Sequence, residues 1–180
     1  MNIKKFGYDM LPVLAGVLIA LFINNFQESR RDRAFVDKII ENIISENQLN
    51  IEKIGEVKDK QKRTIDTLRY YRKNPDVTVF DCIRKVNGLS TPDIHTNAGQ
   101  FLLSSGQTMV NVDLLMELSA IHQEVENFEI GQREIITTLY DKLTSSDEAS
   151  KEVIMLILYD ILNYEVNIDS MSAEFNEKYD

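Results

Sequence analysis

The sequence predicts an all-α protein, an N-terminal transmembrane helix that continues into a long helix, followed by a bundle of about four longer and shorter helices. Three observations carry this reading. Met10–Ile23 is a run of 14 residues without a polar side chain. Further along, apolar residues return at intervals of three and four, the period of an amphipathic helix. The chain also has only seven glycines and three prolines, Pro12, Pro75 and Pro92, too few for the turns of a β-sandwich.

The apolar run sits inside Phe6–Phe26, which reaches the roughly 20 residues a helix needs to cross a bilayer core. A cleaved signal peptide would need small residues at the end of the run, and Ile23-Asn24-Asn25-Phe26-Gln27 has none. A lipoprotein signal would need a cysteine after Leu14-Ala15-Gly16, where Val17 stands. The expected organisation is therefore an anchor over residues 1–30, spanning at about 6–26, and one helical extramembrane domain over 31–180. Within the anchor, Pro12, Gly16, Ala20 and Asn24 recur every four residues and form one ridge, with Gly16-x-x-x-Ala20 at its centre. Small side chains at that spacing admit a second helix, and Asn24 can hydrogen-bond across such a contact. Asp9 falls at the edge of the run, where a carboxylate reaches headgroups or water.

From Glu28 to about Arg72 there is one glycine, Gly55, and no proline. Val36, Ile40, Ile43, Ile44, Ile51, Ile54, Val57, Ile65 and Leu68 keep helical spacing, so the spanning helix is expected to continue outward as a stalk. Asn47, Asn50 and Gln61 interrupt the seam, which favours a helix packed within its own domain over a long two-stranded coiled coil. A break near Asn47–Asn50 or at Gly55 would fold it back. Asn74-Pro75-Asp76 ends the helix.

Thr78–Val86 reads as a short helix with Val79, Cys82, Ile83 and Val86 inward, a strand over Val77–Phe80 being the competing reading. Asn87–Pro92 is a loop. Ala98, Phe101 and Leu102 begin another short helix, closed by Ser104-Ser105-Gly106. Asn111 or Asp113 then caps a long helix to about Leu143, along which Leu114, Leu118, Ile121, Val125, Phe128, Ile135 and Leu139 keep the spacing and Gly131 weakens the middle. Ser145-x-x-Glu148 has the form of a capping box for the last helix. There Val153–Tyr159 is seven apolar residues in a row. With Val153, Leu156, Ile157, Leu158, Ile161 and Leu162, this helix is expected to be the buried centre of the domain or the face that meets a partner.

Charge and chemistry narrow the function. Residues 1–33 hold five basic against three acidic side chains, so of the net −9 of the chain the remainder carries −11. That field repels phosphate backbones and argues against a nucleic-acid partner. The single Cys82 excludes an internal disulfide and reads as a small core residue. There is no His-Glu-x-x-His, no cysteine pair, no glycine-rich phosphate loop and no Gly-x-Ser-x-Gly, so neither catalytic residues nor a cofactor is expected. His122, with Glu124, Glu126 and Glu129 nearby in sequence, could be drawn as a metal site, but acidic residues on a helix face are ordinarily just solvated.

Gly16–Arg30, GVLIALFINNFQESR, resembles the opening of a widespread family of uncharacterised single-span bacterial membrane proteins whose anchor ends in Ala-Leu-x-Ile-Asn-Asn. Phe101–Leu118, FLLSSGQTMVNVDLLMEL, is similar to that family's Leu-x-Ser-Ser-Gly turn and following Leu-rich helix. The resemblance implies a bacterial inner-membrane protein with its N-terminus in the cytoplasm, a periplasmic helical domain and no catalytic residues. Family members often have a longer, more basic N-terminus, where this chain has Lys4 and Lys5. Charge alone leaves the orientation nearly balanced, because Arg30, Arg31 and Arg33 lie on the other side. The function expected is a scaffold or accessory subunit that binds the bilayer and other membrane or periplasmic proteins, or itself as a homo-oligomer. The alternative is a periplasmic small-ligand sensor domain.

Overall fold

A computed structural model describes residues 3–105 and 110–180, with the side chains of 3–13 and 15 left aside, and among these residues there are five helices. They are α1 (Ile3–Tyr70), α2 (Val79–Lys85), α3 (Asn97–Ser105), α4 (Val112–Lys142) and α5 (Glu148–Tyr179), and among the described residues there is no strand. The helical reading of Thr78–Val86 holds, since Val79 and Phe80 open α2. Gly106, expected to close α3, lies outside the described residues, as does the rest of the segment to Met109.

α1 runs 68 residues without a break, about 100 Å at 1.5 Å per residue. Neither Asn47–Asn50 nor Gly55 interrupts it. Gly55 lies on the solvent face with nothing near the position of a Cβ, so it weakens the helix slightly without bending it. Among the described side chains of α1, Ile39 is the first that is buried. Among the described residues no helix is long and apolar enough to cross a membrane. Of the apolar run, Met10–Val13 and Ala15 lie outside the described side chains.

α5 packs against both α1 and α4. It runs antiparallel to α1, since Glu148 and Glu152 near its start pair with Arg72 and Asn176 near its end bonds to Asn47. It is antiparallel to α4 as well, with Lys178 on Glu117 and Asn167 on Glu124. Gly131 earns its place here, because a Cβ would come within 3.2 Å of Ile161 Cγ1 across the α4–α5 contact. The interior divides into two clusters along α1. The one nearer its N-terminal half joins Ile39, Ile43, Leu102, Leu114, Leu118, Ile121 and Phe175. The other joins Ile54, Ile65 and Leu68 to Val79, Cys82, Val125, Phe128, Ile135, Ile154, Leu158, Ile161 and Ile168. Cys82 is fully buried in it, and burial raises its thiol above the ordinary range.

The helix starts follow local chemistry. Thr78 and Asp81 form a reciprocal capping box on α2, at 3.1 Å in both directions. Asn111 caps α4 through Oδ1 to the Leu114 N–H at 2.8 Å. The capping box read at Ser145 and Glu148 is corrected: the N-cap of α5 is Asp147, which accepts from the Ser150 N–H at 2.7 Å. Ser145 instead donates its hydroxyl to the Asp147 carboxylate. That hydroxyl first, then the Ser150 N–H and hydroxyl, hold the Asp147 carboxyl down to about 2.

The apolar run of α5 also divides. Ile157, Leu158 and Ile161 are buried and Leu162 is half-buried against the core, but Val153 is 42% and Leu156 63% exposed. Seven apolar residues cover every face of a helix, and α5 has neighbours on only part of its circumference. Leu158→Ala should therefore cost about 3 kcal/mol in chemical unfolding, and Leu156→Ala no more than about 0.5 kcal/mol. Equal losses would mean that the outer face of α5 is covered.

Candidate functional site

Two features of α1 stand out: a bare apolar length before Ile39 and a row of buried polar contacts after it. In the bare length every described side chain from Leu14 to Arg31 is exposed. It includes Leu14, Val17, Leu18, Ile19, Leu21, Phe22, Ile23 and Phe26, each about half exposed or more. Because consecutive residues are about 100° apart, Val17-Leu18-Ile19 and Leu21-Phe22-Ile23 each point to three sides, so the apolar surface goes all the way round. Gly16, Ala20 and Asn24 are open on this surface, and nothing lies within 4 Å of a Cβ built on Gly16. Pro12, the fourth member of the ridge, lies outside the described side chains.

Beyond Ile39 the residues that interrupt the apolar seam prove to be its fastenings. Asn47 Nδ2 donates to Asn176 Oδ1 at 3.1 Å, and Asn176 Nδ2 donates to the Ile44 carbonyl at 3.3 Å. Asn50 makes a two-way bond with the backbone of His95, at 2.7 and 3.0 Å. Glu46 accepts from the Ala98 N–H in the first turn of α3 at 2.9 Å, where the helix has N–H groups without carbonyl partners. Lys53 reaches the Asp93 carbonyl at 2.7 Å. The long connection from α2 to α3 is thus strapped to α1. Further on, Gln61 Nε2 donates to Glu165 Oε1 at 2.6 Å with both residues almost wholly buried.

Lys151, which sequence reasoning passed over, is fully buried. Its Nζ donates to the carbonyls of Tyr71, Asn74 and Ser146 at 2.9, 2.7 and 2.8 Å, using all three donors of the ammonium group. Tyr71 and Asn74 follow the end of α1, where a cation also meets the negative end of the helix dipole. The one group ties the end of α1, the turn after it and the start of α5.

The residues around His122 do not converge. His122 Nδ1 lies 3.3 Å from Gln100 Nε2 and its Nε2 lies 3.5 Å from Glu126. Glu124 accepts from Asn167 and Glu129 faces Arg133. Among the described residues no group of three or more His, Cys, Asp or Glu side chains is placed to hold a metal ion. Among the clefts that flank the cluster containing Ile39 are one of about 230 Å³ between α4 and α5, lined by Glu117, Ile121, Phe175 and Lys178, and one of about 520 Å³ between α1 and α3, lined by Phe35, Ile39, Ala98 and Phe101. Both are open to solvent.

Compared with known protein families, curated proteins and solved structures, the chain matches none.

Lys151→Met keeps the stem and removes the cation, so the Asn74 and Ser146 carbonyls lose the donor that ties them to α5 and the Tyr71 carbonyl keeps only the Asn74 N–H. The loss expected in thermal or urea unfolding is about 3–5 kcal/mol, with Lys151→Arg recovering part of it. A loss under about 1 kcal/mol would show that the carbonyls find other donors.

Proposed function

We propose that this chain is a membrane-anchored helical scaffold or accessory subunit, held in a bilayer by the N-terminal part of α1 and binding other proteins, or a second copy of itself, through that helix and the domain it carries. The observation that carries the reading is the apolar surface running all round Leu14–Phe26. Burying a large apolar side chain is worth about 1.5–3 kcal/mol. Eight of them about half exposed or more represent on the order of 10 kcal/mol, comparable with the whole stability of a domain. A surface contact in water covers one stripe of a helix, whereas hydrocarbon covers every side. The 14-residue run and the polar flanks on both sides of it support the same reading.

The rest of the proposal is finer. Residues 31–180 are the extramembrane domain. The N-terminus lies in the cytoplasm and the domain in the periplasm of a bacterial inner membrane, an orientation supported by the likeness of Gly16–Arg30 and Phe101–Leu118 to single-span membrane proteins. The ridge of Pro12, Gly16, Ala20 and Asn24 is the helix contact within the bilayer, and the outward Val153 and Leu156 are a second face open to a partner. We infer no catalytic activity, and nothing in the two open clefts favours the sensor reading over this one.

The test separates anchoring from association. The chain should remain in the membrane fraction after alkaline carbonate extraction, and release into the supernatant would remove the anchor. Gly16→Leu with Ala20→Leu should leave it membrane-bound, since Leu is favourable in hydrocarbon, while crosslinking to itself or to a partner in native membranes falls at least several-fold. Leu18→Ile and Leu21→Val, on other faces, should leave crosslinking unchanged. Undiminished crosslinking in the double Leu variant would leave the domain as the binding surface.

A further inference from the structure

Among the described residues, four buried side-chain atoms have no hydrogen-bond partner, and two of them belong to one pair: Gln61 Oε1 and Glu165 Oε2. Gln61 already donates to the other Glu165 oxygen at 2.6 Å. An amide and an ionised carboxylate can make only that one bond, because two acceptors are then left over. An amide and a carboxylic acid make two, the acid O–H donating to the amide oxygen. One proton on Glu165 Oε2, donated to Gln61 Oε1, would supply a partner for both orphan atoms at once.

We propose that Glu165 is held as a neutral carboxylic acid in the folded chain, and that Gln61 and Glu165 form a proton-dependent clasp between α1 and α5 that weakens as the pH rises. The surroundings agree with this assignment. Glu165 is 1% and Gln61 0% exposed. Along their own helices the two residues are flanked by members of the larger apolar cluster, Ile54 and Ile65 on α1 and Ile161 and Ile168 on α5. Burial pushes the Glu165 carboxyl up to about 7, against the opposing pull of the Gln61 hydrogen bond and the positive charge of Lys58. Lys58 and Gln61 are both on α1. No charged side chain of α4, or of α5 itself, is among the forces on this carboxyl. Membrane attachment plays no part in the argument, so the inference stands or falls apart from the proposed function.

The direction of the pH effect follows from linkage. Between about pH 4.5 and 7 the folded chain keeps a proton that the unfolded chain has lost, so stability falls as the pH rises through that interval and levels off above it. When the proton leaves for water, the O–H bond to Gln61 is lost and a charge remains in an apolar interior. The part of α1 opposite Glu165 is then the place where the α1–α5 contact loosens first.

The experiment uses the full chain in mild detergent and compares it with Glu165→Gln, whose amide can donate to Gln61 Oε1 as the acid does but cannot ionise. The difference between the two isolates Glu165 from every other ionisable group of the chain. The folded-to-unfolded ratio of the wild type should fall by on the order of thirtyfold between pH 5.5 and pH 8, relative to that of Glu165→Gln. Amide hydrogen exchange around Gln61 should accelerate in step, and in the wild type alone. Infrared spectroscopy gives a second readout that needs no variant to fold: a protonated carboxyl stretch present at pH 5.5 and gone by pH 8. In Gln61→Met that stretch should shift, because its acceptor has been removed. Parallel stability profiles for wild type and Glu165→Gln, or a wild-type spectrum without a titrating carboxyl stretch, would overturn the clasp.

Discussion

Laying α5 antiparallel along α1 brings together two kinds of contact that constrain the fold differently. The apolar contacts, Ile54, Ile65 and Leu68 with Ile154, Leu158, Ile161 and Ile168 in one cluster, supply most of the driving force but little sense of register. The polar ones allow a single alignment. Asn47 must meet Asn176, Gln61 must meet Glu165, and Lys151 must reach the carbonyls after the end of α1. Sliding α5 by one turn would move these pairs about 5.4 Å apart and leave buried donors and acceptors open. Since α4 and α2 are in turn placed against α5 and the start of it, the whole bundle depends on that alignment. α2 shows the dependence directly: its first N–H groups, those of Val79 and Phe80, donate to the Ser145 and Leu143 carbonyls of the turn that leads into α5.

How much of this could be read in advance varies with the range of the interaction. Helix ends set by neighbours in sequence were legible in part: a helix over Thr78–Val86 was one of two readings, Asn111 was one of two caps offered for α4, and Asn74-Pro75-Asp76 lies four residues past the end of α1 at Tyr70. The start of α5 was misplaced by two residues because Ser145 and Asp147 are both good caps, and the hydroxyl of the one turned out to serve the carboxylate of the other. Asn47, Asn50 and Gln61 were legible as anomalies in an apolar seam but not as bonds. Their positions still carry a signal: Ile43, Asn47, Asn50, Ile54, Gln61, Ile65 and Leu68 are separated by three, four or seven residues, so the polar side chains continue the buried stripe. Lys151 and Glu165 carry no comparable mark. A charged residue in an amphipathic helix is usually solvated, and only the arrival of α1 from more than 75 residues away turns these two inward. Val153 and Leu156 show the reverse case, since a run with apolar residues on all faces does not say which faces will be covered.

The same unbroken α1 also fixes the direction of its bare end relative to the domain. At about 100° per residue, Ala20 lies roughly 120–180° around the helix from Ile43, Ile54, Ile65 and Leu68, the residues that face the bundle. The ridge of Gly16, Ala20 and Asn24 therefore looks away from the side on which α5 lies. A kink at Asn47–Asn50 or Gly55 would have cut this relation, but the continuous hydrogen-bond ladder from Ile3 to Tyr70 keeps it.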